Sequence, residues 1–352
     1  MRRTTGMLPY TIEVTHDEDA VTAYAGLPMV VETMRKLGVS RQLEAELGIR
    51  QRNNGATDAD KGEALVLLMS AGGSCLSDID KLRADKGLMR LLGRELPSEQ
   101  ILWTYLNAFH DDALIEEAKR RLVPGQVAYV PNENRALSAL GRVNVALAKT
   151  VATKNKITRA TLDHDATVIE SRKQQAKAHY KGGRGYQPAV IYWAEADQVV
   201  GDEFRDGNVP AGMDNLRLIQ RAFRSLPESL AARYLRGDSA LYEEAVLKWL
   251  ADDAREGGPA GHIGFSISAD MSKALAAACS ALAETAWELL EERNHETVYC
   301  AEVKIHARRL AERRRAAPLR RGKIRGQAAE GRWEFFDQAL GGGDEPSRSV
   351  SR

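Results

Sequence analysis

The chain has 352 residues, of which 43% are apolar and 28% charged, a balance that excludes a wholly disordered polymer and allows two or three folded domains. Three cysteines are too few and too scattered for a disulfide framework or a Cys-rich zinc site. The sequence contains no apolar run of the ~18 residues that a membrane helix needs, and the N-terminus lacks the apolar core of a signal peptide. We therefore expect a cytoplasmic protein with no membrane partner.

Charge is unevenly distributed along the chain, although the net charge is only +1. Residues 149–184 hold nine Lys/Arg against three Asp/Glu, and residues 305–325 hold nine against one. Such basic stretches can bind a polyanion, or they can form an ordinary solvated surface. Charge alone leaves both interpretations open.

Residues 1–156 are predicted to form a mainly helical region, because apolar residues recur there at three- and four-residue spacing. Asp58 or Asp60, Ser77, and Pro97–Ser98 are candidate helix starts. The predicted helices are LPMVVETMRKLGV, RQLEAELGI, DKGEALVLLMSAG, SDIDKLRADKGLMRLLG, SEQILWTYLNAFHDDALIEEAKRRL and ENRALSALGRVNVALAKTVA. A small helical domain can present a helix to DNA, but such domains have many other functions.

The pattern changes at Ile157 and predicts the order β-β-β-α-β-α-β-α over residues 157–293. The predicted strands are TRATLDHDATVIES, GYQPAVIYWAEA, DQVVGDEFRDG, ARYLRGDSA and GHIGFSISA. The predicted helices are MDNLRLIQRAFRSL, LYEEAVLKWLADDAR and KALAAACSALAETAWELLEER. A strand meander followed by strand–helix alternation predicts an α+β (α/β-like) fold with a mixed sheet and flanking helices. Residues 294–352 are predicted to form a basic and then Gly/Ser-rich disordered tail.

The segment LDHDAT holds the first candidate site. Residues two apart on a strand point to the same face, so Asp163, Asp165 and Thr167 are expected on one face. Two neighbouring carboxylates repel each other unless a cation or donor lies between them, and Mg²⁺ prefers oxygen ligands. The alternative is that one aspartate is an exposed strand-end residue or a turn cap.

The second candidate is Asp238 in the segment RGDS, at the end of a predicted strand and before a helix. Ligands of open α/β sheets gather at the carboxyl ends of strands, so Asp238 could share a cation with the first aspartates. The alternative is an N-cap of the helix that begins near Leu241. Two such positions within this strand order are typical of an RNase H-like nuclease fold.

Other chemistry-bearing motifs are missing from the sequence, which has no HExxH, GxSxG or P-loop pattern. Four aromatic residues lie near the first basic stretch, namely Tyr180, Tyr186, Tyr192 and Trp193. They could stack on unpaired bases, although core packing is the favoured role for the last two.

Taken together in this order, the segments LDHDATVIES, YKGGRGYQP, DEFRDGNVPAGMDNL, RGDSALY and IGFSISADMSKAL resemble the DDE transposases of bacterial insertion sequences. The similarity is greatest to the family named after insertion sequence 1380, and it extends from about Pro28 to Trp287. The resemblance implies an RNase H-like core in which three acidic residues hold two Mg²⁺ (or Mn²⁺) ions.

The resemblance also assigns residues. Asp165 matches the first acid, with Asp163 as the fallback, and Asp238 matches the second. The basic residues implied to contact the DNA backbone are Lys173, Lys177, Lys181 and Arg184. The helical residues 1–156 would recognise the DNA ends, and the partners implied are double-stranded DNA at terminal repeats and target sites, and a second copy in a homodimer. A bacterial, nucleoid-associated location follows from the same resemblance.

The third acid, a glutamate in a Tyr/Arg/Glu/Lys-type motif on a helix, has no match in this sequence. The glutamates available in the last part of the chain are Glu288, Glu291, Glu292, Glu330 and Glu334. Three alternatives therefore stay open: an active transposase, a truncated DNA-binding remnant, and an unrelated RNase H-like nuclease.

Overall fold

The fold was analysed in a computed structural model, which describes residues 3–5, 11–13, 21–50, 55–269, 273–293, 296–305, 320–329 and 332–340. The chain divides into two compact units. The first is built from residues 1–121 and 131–150, and the second from residues 122–130 and 151–352.

The first unit is helical apart from a short antiparallel pair of strands. The strands are β1 (Arg3–Thr5) and β2 (Thr11–Glu13). The helices are α1 (Leu27–Lys36), α2 (Val39–Glu46), α3 (Asp58–Ser70), α4 (Ile79–Ala84), α5 (Lys86–Leu92), α6 (Glu99–Asn107), α7 (Asp112–Arg120) and α8 (Arg135–Lys154), which continues into the second unit.

Side-chain caps explain where several of these helices begin. Thr57 caps α3, its hydroxyl accepting from the amide of Asp60 while the Asp60 carboxylate accepts from the amide of Thr57. Two segments predicted as single long helices are each divided by an aspartate. Asp85 accepts from the amide of Leu88 and starts α5, and Asp111 does the same for α7.

A buried carboxylate lies between the helices of the first unit. The side chain of Glu63 is 2% exposed and accepts hydrogen bonds from Arg35, Ser40 and Arg94, the last at 2.7 Å. Burial alone would raise the pKa of Glu63, but the hydrogen bonds lower it by more, so the pKa of Glu63 lies below the ordinary value. The carboxylate is therefore ionised and joins α1, α2, α3 and the segment after α5.

The second unit contains a large mixed sheet. Its strands, in chain order, begin with β3 (Arg159–Ala166), followed by a separate small sheet of β4 (Ile169–Glu170), β5 (Lys177–Ala178) and β6 (Arg184–Tyr186). The large sheet continues with β7 (Ala189–Trp193), β8 (Gln198–Glu203), β9 (Ala232–Gly237), β10 (Gly264–Ala269), β11 (Glu288–Arg293), β12 (Glu296–Ile305), β13 (Arg320–Ala329) and β14 (Arg332–Leu340). The helices are α9 (Asn215–Ser225), α10 (Glu244–Ala251) and α11 (Lys273–Ser280).

The spatial order of the sheet is β11-β12-β13-β14-β10-β9-β3-β7-β8. Strands β3, β7 and β8 form an antiparallel meander, and β9 and β10 run parallel to β3. The predicted order β-β-β-α-β-α-β-α and the mixed sheet with flanking helices are confirmed. The small sheet of β4, β5 and β6 was not predicted.

The two faces of the meander differ in polarity. Leu162, Ile191 and Trp193 are fully buried, and α9 packs on this side, where Gly201 lies against Ala222. Burying such apolar side chains is the main stabilising contribution to this unit. The alternate residues of β3, which include Asp163 and Asp165, are partly or fully exposed on the other face.

The end of the last predicted helix differs from the structure. The predicted helix ending at Arg293 is wrong after Ser280, because β11 pairs with β12 as an antiparallel strand. The predicted tail from residue 294 lies partly outside the described residues, and within them β12, β13 and β14 extend the large sheet. Among the described helices, none has the length and apolar character required to cross a membrane.

Candidate active site

Strand register brings the two predicted aspartates to neighbouring strand ends. In the parallel pair β3–β9, Asp163 lies opposite Arg236 and His164 lies opposite Gly237. Asp165 and Asp238 each follow directly after that last pair, and both are exposed. Because neighbouring strands lie about 4.8 Å apart, the backbones of Asp165 and Asp238 are close neighbours at the carboxyl ends of β3 and β9.

Each of these carboxylates uses one oxygen locally. Asp165 Oδ2 accepts from the hydroxyl of Thr167 at 2.9 Å, and Asp238 Oδ1 accepts from the amide of Ala240 at 2.9 Å. The interpretation of Asp238 as a cap is therefore correct, because Asp238 caps the short 3₁₀ turn Ser239–Leu241. The cap uses only one of its two carboxylate oxygens. The second oxygen of each carboxylate has no hydrogen-bond partner within the described ranges.

This donor set fits a hard divalent cation. Mg²⁺ is held in many proteins by one or two carboxylates together with water and substrate phosphate. Two exposed carboxylates at adjacent strand ends, each with an oxygen to spare, are ligands of this type.

Asp163, the fallback for the first acid, is engaged elsewhere. Its carboxylate forms a bidentate ion pair with the guanidinium of Arg236, with N–O distances of 2.6 and 2.7 Å. The pair crosses directly between β3 and β9. Such two-point pairs are geometrically specific. The geometry therefore favours Asp165 over Asp163 as the residue available to a cation.

A buried polar layer lies behind the aspartates. His164 is 4% exposed on the opposite face of β3, and in the described part of the chain neither ring nitrogen has a hydrogen-bond partner of normal geometry. Burial lowers its pKa and nearby Arg205 lowers it further, while Asp238, Asp165 and the side chain of Asn215 act in the opposite direction. The imidazole is therefore neutral near pH 7.

Asn215 and Arg205 connect this layer to the turn after Asp238. The side-chain nitrogen Nδ2 of Asn215 donates to the carbonyl of Ala240 at 3.1 Å, and Arg205 donates to the side-chain oxygen of Asn215 at 3.2 Å. Glu203 neutralises Arg205 at 2.7 Å. Sequence reasoning did not select these residues. The available signal was a polar side chain at the buried first position of the amphipathic helix α9.

A third acid does not join the pair in the described residues. No group of three or more His, Cys, Asp or Glu side chains arranged to hold a metal ion occurs there. Strand β11, with Glu288, Glu291 and Glu292, is separated from β9 by four other strands. Glu334 lies on β14, beyond the part of that strand that pairs with β10, and Glu330 lies outside the described residues.

The predicted DNA-contacting residues lie on the strands and connecting loops of the small sheet, which has the order β4-β6-β5. Lys173, Lys177 and Lys181 are exposed. Arg184 differs from them, because its guanidinium donates to the carbonyls of Ala176 and Gln174 at 2.9 and 2.7 Å. Arg184 therefore holds the segment between Lys173 and Lys177 against β6.

The aromatic residues of this region divide into two groups. Trp193 is fully buried and donates to the carbonyl of Arg159, and Tyr192 hydrogen-bonds to Asp197. Tyr186 packs against Phe204 with ring centroids 4.8 Å apart. Tyr180 is 74% exposed. Core packing was the favoured interpretation for Tyr192 and Trp193, and of these two only Trp193 is fully buried.

The order β8-β7-β3-β9-β10, with carboxylates at the ends of the two central parallel strands, is the architecture of an RNase H-like DDE domain. The sequence matches the family described as Transposase DDE domain group 1 over residues 8–318, and the chain belongs to this family. No curated protein and no solved structure matches the chain. The family makes it a transposase, an enzyme class that acts on DNA in transposition and recombination and generally depends on divalent metal ions.

Proposed function

We propose that this chain is the transposase of a bacterial insertion sequence of the 1380 family, which cleaves DNA strands at the element ends and joins them to target DNA. The observation that carries the proposal is the placement of Asp165 and Asp238 at adjacent strand ends of the DDE domain. The reaction class is phosphoryl transfer by in-line displacement.

The geometry supports the following roles for the residues of the site. Asp165 and Asp238 would hold divalent cations, Mg²⁺ or Mn²⁺, through their spare oxygens. When bound, a pair of such ions activates the attacking oxygen and stabilises the leaving oxygen. Thr167 and the Ala240 amide fix the two carboxylates, and the hydrogen bond from Asn215 to Ala240 supports the turn after Asp238. Arg236 keeps Asp163 out of the cation site.

DNA would be bound by both parts of the chain. The three exposed lysines of the small sheet contribute backbone-phosphate contacts, which add affinity with little sequence readout. The helical residues 1–156 would recognise the terminal repeats, and residues 157–293 would form the catalytic core. A homodimer would bring two ends together, and the protein would act at the nucleoid, where its substrate is.

The direct test is a strand-cleavage and joining assay with Mg²⁺ and DNA carrying the element ends. We expect cleavage followed by joining, with loss of both steps in Asp165→Asn and in Asp238→Asn. Asp163→Asn is the matched control on the same strand face, and it should retain cleavage. Activity that survives Asp165→Asn and Asp238→Asn would refute the proposal.

A second candidate function is a DNA-binding remnant that recognises element ends without cutting them. It is favoured by the lack of a three-carboxylate group in the described residues. Sequence-specific binding without cleavage in the same assay would support it. Cleavage without joining and without preference for inverted repeats would indicate an RNase H-like nuclease instead.

A further inference from the structure

The small sheet is a basic segment inserted directly after the candidate acid. β4 begins four residues after Asp165, and β6 ends three residues before β7. Between Ser171 and Ala194 the chain has five Lys/Arg and no Asp/Glu. In the described part of the chain, none of Lys173, Lys177 and Lys181 forms an ion pair with an acidic side chain. The segment therefore offers uncompensated positive charge close to the strand that carries Asp165.

The turn between β5 and β6 is held in one conformation by its own hydrogen bonds. The amide of His179 donates to the carbonyl of Gly183, the amide of Gly182 donates to the carbonyl of His179, and the amide of Lys181 donates to the His179 ring at 3.2 Å. The His179 ring is buried against Gly183, where a Cβ atom would lie 2.8 Å from Nε2. The turn is thus built around a buried imidazole.

Close backbone contacts fix the small sheet to the segment after β8. The amide of Gly207 donates to the carbonyl of Gly185 at 3.1 Å. A Cβ atom at Gly207 would lie 2.6 and 2.7 Å from the carbonyl oxygens of Gly185 and Lys177. Only glycine permits this approach. The ring contact between Tyr186 and Phe204 adds to it.

Tyr180 is the residue that this rigid turn presents to solvent. Its neighbour His179 is buried, while the Tyr180 side chain is 74% exposed. The ammonium group of Lys181 lies 5.7 Å from the ring centroid, over one face. The other face of the ring is available to a flat partner. An exposed aromatic ring next to phosphate-binding cations is the combination that binds single-stranded nucleic acid by stacking.

We propose that Tyr180 is a stacking platform for an unpaired base of a DNA strand, with Lys181 on the adjacent phosphate. This inference deepens the proposed function and rests on it, because an unpaired base near Asp165 is expected where the protein cuts and joins DNA strands. Stacking on a tyrosine is tolerant of base identity, so the contact would select unpaired over paired DNA rather than a sequence.

The test measures binding of the full chain to DNA in EDTA, so that cleavage does not occur. The probes are a short single-stranded DNA containing 2-aminopurine and a blunt duplex of the same sequence. We expect Tyr180→Ala to weaken single-strand binding roughly tenfold, to leave duplex binding unchanged, and to abolish the quenching of 2-aminopurine. Tyr180→Phe, which keeps the ring, should behave like the unchanged protein.

Two controls separate the stacking contact from general effects. Lys181→Ala should weaken both probes to a similar extent, because phosphates are present in both. An unchanged melting temperature of Tyr180→Ala excludes loss of folding.

Each other result counts against the inference. If Tyr180→Ala weakens both DNA probes equally, or neither, the stacking role is wrong while the proposed transposase function stands. A clear preference of the unchanged protein for single-stranded RNA of the same sequence would overturn the assignment to DNA. If the unchanged protein binds neither DNA probe, the inference fails, and the assay on element-end DNA decides the proposed function separately.

Discussion

Replacing Asp165 and replacing Asp163 should change stability in opposite directions in metal-free protein. The two residues lie on one face of β3, but Asp163 is paired with Arg236 while Asp165 faces Asp238 across the strand ends. Asp165→Asn therefore removes a repulsion between like charges. Asp163→Asn removes an attraction and leaves the guanidinium of Arg236 without its carboxylate.

The size of both effects follows from the geometry. Adjacent strands lie about 5 Å apart, and two like unit charges at that separation repel each other by about 1 kcal/mol in water and about 3 kcal/mol at a protein surface of lower dielectric constant. Because Asp165 and Asp238 are exposed, we expect the lower figure. The Asp163–Arg236 pair, with side chains 35% and 55% exposed, is screened by solvent and contributes about 0.5–1 kcal/mol.

The assay is thermal unfolding of the full chain in EDTA and then in excess Mg²⁺. Asp165→Asn should raise the melting temperature of the second unit by about 2–4 °C in EDTA, and Asp163→Asn should lower it slightly. At a Mg²⁺ concentration about ten times the dissociation constant, the unchanged protein should gain about 1.4 kcal/mol. Asp163→Asn should show the same gain, and Asp165→Asn should show none.

The opposite pattern would refute this reasoning. If Asp163→Asn loses the stabilisation by Mg²⁺ and Asp165→Asn keeps it, Asp163 is the cation ligand and the pair with Arg236 must open. If Mg²⁺ stabilises the two variants equally, Asp163 and Asp165 do not differ in their contribution to cation binding.

Three further predictions concern other parts of the chain. Glu63→Gln should lower the free energy of unfolding at neutral pH by about 3 kcal/mol. Because folding lowers the pKa of Glu63, the stabilisation by its carboxylate is present above pH ~4.3 and is lost as pH falls through the folded-state pKa. Urea unfolding of the variant should therefore depend less on pH in that acidic range than urea unfolding of the unchanged protein. Gly207→Ala should loosen the small sheet, because the methyl group would meet two carbonyl oxygens, and limited proteolysis should cut residues 171–184 faster than in the unchanged protein, whereas equal rates would contradict the contact. The double variant Lys173→Ala and Lys177→Ala should reduce the slope of log affinity against log salt for duplex DNA by about 1.8, and an unchanged slope would exclude both lysines from phosphate contact.

The sequence predicted that Asp163 and Asp165 share one face of a strand, but not that Asp163 is paired with Arg236. Alternation along LDHDAT placed Asp163 and Asp165 together, because side-chain direction on a strand depends only on residue parity. Which of the two is available depends on the register between β3 and β9, and register is a long-range property. The Asp163–Arg236 pair therefore could not be derived from spacing within either segment.

Other elements show where local patterns fail. Apolar and alanine-rich residues over 273–293 favour a helix locally, yet pairing with β12 makes the last six residues a strand. The small sheet was missed because its strands are two or three residues long and carry no alternation to detect. The Asn215–Arg205 contact joins residues whose roles depend on the turn after Asp238, which only the folded chain shows.

The central claim is that Asp165 and Asp238 share one divalent cation. Iron(II) bound in place of Mg²⁺ generates hydroxyl radicals with ascorbate and peroxide, and these cut the backbone next to the ion. We predict cuts near residue 165 and near residue 238 in the same sample, both suppressed by excess Mg²⁺ and both lost in Asp165→Asn. Cuts at only one of the two positions, or cuts that persist in Asp165→Asn, would contradict the shared site.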